Sequence, residues 1–190
     1  MKHSASYSNL QRLIHWLMAL AIFGLFGLGF WMVELTYYSE WYRTAPHLHQ
    51  SVGFLLALAW VLRIIVLTVQ GKPAALKSHT QLEINAAHFV HVVLYLLLVI
   101  LFISGYLIST ADGRGIAVFN WFEIPGIGEL FAGQADIAGL IHEYSAYSLI
   151  ALVVLHALGA LKHHFIDKDG TLNRMLWQKK SQQQSNKLEN

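Results

Sequence analysis

Four long apolar blocks alternate with short polar connections along this chain. Leu13 to Val33 is an uncharged run between Arg12 and Glu34, and as a helix it would span about 31 Å, close to the hydrocarbon thickness of a bilayer. A second block, from about His49 to Val69, holds one charge, Arg63. A third, about Ala86 to Ile108, holds none, and a fourth, about Ile137 to Leu161, has Glu143 near its start. The pattern predicts an all-α integral membrane four-helix bundle over residues 1–178, followed by a tail at 179–190 whose Gln- and Ser-rich polarity predicts disorder. The first block is too long for a signal peptide, and no small-x-small cleavage site follows it. The connection from Ser109 to Asp136, with Pro125 and Gly126, predicts short surface pieces. The sequence shows no internal repeat strong enough to identify and no linker that divides it.

Composition narrows the class. The chain is 55% hydrophobic and 13% charged, about half the charged share of a soluble domain, which excludes disorder, nucleic-acid binding and a secreted mini-protein. Cysteine is absent, so disulfides, iron–sulfur clusters and thiol catalysis are excluded. The modest net charge matters only through its placement. Lys2, Arg12, Lys72, Lys77, Lys162, Lys168, Arg174, Lys179, Lys180 and Lys187 fall on one side of the spans, and only Arg43 and Arg114 on the other. The positive-inside rule then places both termini in the cytoplasm. The opposite loops hold Glu34, Glu40, Asp112, Glu123, Glu129 and Asp136 among aromatics such as Tyr37, Trp41 and Trp121, which read as an interfacial belt.

Eleven histidines are the anomaly. Inside an apolar span a histidine costs free energy and marks an ion path, a proton relay or a metal. His142 and His156 are 14 residues apart on the fourth helix, about 21 Å of rise with a residual rotation of about 40°, so they share one face at two depths. The residues between them, Ala146, Leu149, Ile150 and Val153, are apolar or small, which suits flat iron-centred cofactors better than a proton relay. The topology offers each a partner: His49 at the outer start of the second helix for His142, and His15 at the inner start of the first for His156. Bis-histidine ligation saturates iron and favours electron transfer over oxygen binding; two ligands per depth make a poor zinc site. The same 14-residue step leads from His15 to Gly29, from His91 to Gly105 and from His49 to Arg63. Glycine on the cofactor face lets a porphyrin edge approach the backbone, and Arg63 would face the inner cofactor and pair with a haem propionate. His88 and His91 compete with His15 and rank as propionate or quinone-site groups. His47 lies outside the regular apolar run, and His163 and His164 beside Lys162 read as solvated surface. Glu143 either orients a ligand or faces a headgroup.

These residues resemble the bacterial cytochrome b561 family of dihaem inner-membrane proteins. The resemblance is carried by SNLQRLIHWLMAL at Ser8 to Leu20, HQSVGFLLALAWVLR at His49 to Arg63, HVVLYLLL at His91 to Leu98 and LHALGALKHHFIDKDGTLNRM ending at Met175. It implies two haem b groups with axial ligands at His15, His49, His142 and His156, a place in the inner membrane, and electron transfer between a periplasmic-side donor and ubiquinone. It also implies two alternatives: a superoxide oxidase, and a haem subunit anchoring a peripheral dehydrogenase or hydrogenase. A haem-free transporter or structural bundle is the remaining rival. The chain departs from the family where Leu67 replaces a second basic pair and where Phe102 stands in place of a proline.

Overall fold

A computed structural model describes residues 6–177; the tail expected at 179–190 lies outside them. Four long helices, α1 (Asn9–Met32), α2 (Thr44–Gln70), α3 (Gln81–Thr110) and α4 (Gln134–Lys162), hold the four apolar blocks. Their ends follow from local chemistry. Ser8 and Thr80 form capping boxes with Gln11 and Glu83 and so satisfy the first free amides of α1 and α3. Gly71 closes α2 at φ 74°, a conformation open to glycine.

The helices pair as two antiparallel hairpins, α1 on α2 and α3 on α4, and the hairpins touch each other far less. Between them lies a thin core of Ile14, Met18, Leu56, Val66, Leu98 and Leu149. Large apolar side chains such as Leu20, Leu96 and Leu155 point outward and exposed, where lipid rather than protein would cover them.

The long connection between α3 and α4 contains two short strands, β1 (Ile116–Val118) and β2 (Phe122–Ile124), paired antiparallel with Ala117 opposite Glu123. Phe119 and Asn120, at φ 45° and 60°, make the tight turn, whose backbone twist matches that of paired strands. Fully buried Ser51 ties this ribbon to α2: its hydroxyl donates to the Ala117 carbonyl (3.4 Å) and accepts from the Phe119 amide (3.0 Å). Gln134, also fully buried, donates to the carbonyls of Leu107 (2.9 Å) and Gly128 (3.3 Å) and accepts from the Leu130 amide (2.8 Å).

At the other end the chain leaves α4 through a π-helical turn, His163–Asp167, and then folds back through Lys168 (φ 53°) and Gly170 (φ 80°). This corrects the solvated reading of His163. Its Nδ1 lies 2.7 Å from Asp169 and 3.0 Å from Asp167, because the left-handed residues return the acidic segment to the helix end. His164 packs edge-on against Phe165 instead. The returning segment reaches α1, where Arg12 donates to the Arg174 carbonyl (3.2 Å) and the Trp16 indole to that of Met175 (3.0 Å).

Replacing Gln134 by Leu would strand the Leu130 amide and the Leu107 carbonyl in the interior. We expect a loss of about 1–3 kcal/mol, read as a lowered denaturation midpoint in detergent.

Candidate functional site

The two hairpins face each other through histidine. His49 on α2 meets His142 on α4 with ring centroids 6.1 Å apart. One level away, His15 on α1 meets His156 on α4 at 6.4 Å. The pairs expected from helical spacing are therefore the pairs the fold brings together, and both bridge the cleft between hairpins. An ion held on the line between two coordinating nitrogens, about 2 Å from each, puts the ring centroids about 6 Å apart, so both pairs have room for an iron between them. His91 on α3 also approaches His156, at 5.0 Å edge to face, which is too close to admit a metal ion between those two rings.

Around His49 and His142 lies a cavity of about 770 Å³ with apolar walls that include Leu25, Phe26, Leu101, Phe102 and Ile150, a size and character suited to a cofactor. The Ser104 hydroxyl donates to the Ile100 carbonyl (2.7 Å), so its oxygen accepts from His142 Nδ1 at 3.1 Å. The proton is thereby held on Nδ1, leaving the Nε2 lone pair free for a metal. His49 Nδ1 is buried without a hydrogen-bond partner. These residues fit a haem.

Glycine acts here in a way the sequence did not reveal. A Cβ on Gly29 would lie 3.1 Å from Cε1 of His49, and one on Gly105 would lie 3.2 Å from Cε1 of His142. Each hairpin thus uses a glycine on its first helix to make room for an imidazole on its second. Together with the 14-residue steps, this exposes a repeat hidden in the sequence. His15, Gly29, His49 and Arg63 in the first hairpin correspond to His91, Gly105, His142 and His156 in the second.

Arg63 stands where the repeat has His156. Its guanidinium donates to the Tyr95 hydroxyl (3.2 Å) and the Gln11 carbonyl (3.3 Å). Among the described residues no carboxylate pairs with it. His88 is exposed on α3, His47 belongs to the first turn of α2, and exposed Glu143 sits at the cavity rim. Sequence reasoning missed Ser104 and Tyr95. The first is a rare polar residue in the third apolar block, the second one turn beyond His91, and those were the available signals.

The sequence pattern of the family described as prokaryotic cytochrome b561 matches residues 6–178. Cytochrome b561 homolog 2 of Escherichia coli (strain K12) is 48% identical over 170 residues, 90% of each chain. The probable superoxide oxidase CybB of Yersinia pestis is 29% identical over 179 residues, 92% of this chain and 97% of that protein. Cytochrome b561 homolog 1 of E. coli is 24% identical over 180 residues, 92% and 98% of the two chains. The chain belongs to the prokaryotic cytochrome b561 family, and membership implies haem b.

Gly29→Ala and Gly105→Ala should each push an imidazole aside and weaken haem retention by about 10-fold or more, measured as transfer to apomyoglobin. Gly24→Ala, whose Cβ meets nothing within 4 Å, should leave retention unchanged.

Proposed function

We propose that this member of the cytochrome b561 family is a dihaem electron-transfer protein of the bacterial inner membrane. It passes electrons between a periplasmic-side donor and the quinone pool, and both its termini lie in the cytoplasm. The observation that carries the reading is the pair of cross-cleft histidine contacts at two depths of one helix, with ring centroids 6.1 and 6.4 Å apart. Bound there, haem b supplies reversible one-electron chemistry.

The chain's own residues determine what that chemistry is used for. His49 with His142, and His15 with His156, would each hold one haem through two imidazoles, a ligand set that favours electron transfer over oxygen binding. Apolar helices keep water from both levels, and Ser104 fixes the tautomer of His142. Arg63, a half-buried cation lacking a carboxylate partner among the described residues, would hold a propionate of the inner haem. Residues 1–178 would form one cytochrome unit. The inner ends of α1, α3 and α4 are where ubiquinone would exchange electrons.

The similarity to a probable superoxide oxidase favours a second reading, superoxide oxidation at the outer face. The charges there support it poorly. Arg114 is engaged by its neighbour Asp112, 2.7 Å from Nε, and Arg43 shares a shallow pocket with Glu40. That leaves little positive field to steer an anion.

Pyridine haemochrome analysis should count two haem b per polypeptide, with one lost in His49→Ala and one in His15→Ala; a single haem in the wild type would reject the dihaem reading. Arg63→Leu should shift the midpoint of the inner haem alone in a redox titration, and an unchanged titration would reject the propionate contact. With xanthine oxidase and quinone present, a carrier without oxidase activity leaves the rate of superoxide loss unchanged.

A further inference from the structure

A second histidine cluster lies outside both cross-cleft pairs, where the chain returns after α4. We propose that His79 Nε2, His163 Nδ1 and Asp169 Oδ2 form a binding site for a divalent cation of the zinc class. The three atoms all lie within 4.8 Å of one another. Asp169 Oδ2 is 3.1 Å from the His79 nitrogen and 2.7 Å from that of His163. Two imidazoles and a carboxylate are a zinc ligand set that leaves a fourth position for water. The Thr171 hydroxyl, 2.9 Å from His79 Nε2, is a further oxygen at that position.

The carboxylate is oriented as a ligand would need to be. The Asp169 side chain is 4% exposed. Its other oxygen, Oδ1, accepts from the Thr171 amide (2.9 Å) and hydroxyl (2.6 Å), which turns Oδ2 toward the histidines.

Charge at this end of the bundle also suits a cation. Glu83, Asp167 and Asp169 converge here, and Lys162 pairs with the first two at 2.8 and 2.7 Å, which leaves the Asp169 carboxylate to the two imidazoles. The rings of His79 and His163 have centroids 4.7 Å apart, so an ion they shared would be held at a bend, as a tetrahedral site requires. Such an ion would join the α2–α3 connection to the segment after α4, closing the end of the bundle beside His15 and His156. The site does not depend on the haem reading.

The test uses the full-length protein in detergent, purified with a tag free of histidine. Titration with zinc against a competing chelator, with metal counted by plasma mass spectrometry, should find one saturable zinc per chain besides iron. His79→Gln should weaken binding by about 10-fold or more and abolish the zinc-induced rise in Tm, whereas His164→Gln should do neither. If His79→Gln loses its haem spectrum on purification, Thr171→Val replaces it: this variant frees the carboxylate and should weaken zinc binding by a smaller factor. Absence of saturable binding in the wild type, or equal binding in the variants, overturns the proposal and leaves a hydrogen-bonded cluster.

Discussion

The constraint on which the rest of this structure depends is that its two hairpins have little reason to meet. In a bilayer there is no hydrophobic force between apolar helices, since lipid tails are as apolar as leucine. Association must come from close packing or from polar contacts. Packing serves within each hairpin, but between hairpins the shared core is thin and a large cavity remains. What crosses the gap is polar: histidines paired at two depths, beside the Arg63–Tyr95 and Gln50–Ser109 hydrogen bonds. On the proposed reading, cofactor binding and hairpin docking are the same event: the imidazoles that would ligate iron are also the contacts that fix one half of the bundle against the other.

Helical geometry makes that arrangement economical. Fourteen residues is nearly a whole number of turns, so one helix face presents two groups at two depths. Four helices repeat the step: His15 to Gly29, His49 to Arg63, His91 to Gly105 and His142 to His156. Glycine at the outer level of α1 and α3 removes the side chains that would collide with His49 and His142. The outer site is therefore nearly symmetric, histidine facing histidine with a glycine behind each ring.

Legibility in the sequence follows the range of each interaction. The four spans and both cross-cleft pairs were readable because hydropathy and a helical period are local, and because alternating helix direction assigns depth. The repeat escaped notice because it resides in four spaced positions while the apolar residues between them vary freely. The role of Gly29 was half visible: its place on the inner face was evident, its contact with His49 was not, since that depends on how closely α1 and α2 pack. His163 was misread as solvated for a different reason. Its partners His79 and Asp169 are brought to it by the path of the α2–α3 connection and by left-handed turns at Lys168 and Gly170, and apolar periodicity says nothing about either.

Where the repeat breaks, the two levels become chemically different. At the inner level the first hairpin offers Arg63 in the position where the second offers His156, while His91 is the counterpart of His15. At that site His15 to His156 has the spacing of a ligand pair, whereas His91 lies closer to His156 than such a pair allows. A fixed positive charge in low dielectric favours the more negative state of whatever sits beside it. The cavity around His49 and His142 has no lysine or arginine in its lining among the described residues; its charged lining residues are Glu143 and Glu34 at the rim. On the proposed reading, that asymmetry along the bundle axis would hold the two haems at different potentials, by an amount that a propionate on Arg63 reduces. On that reading, a single substitution in a duplicated pattern is enough to make the two ends of a symmetric scaffold different.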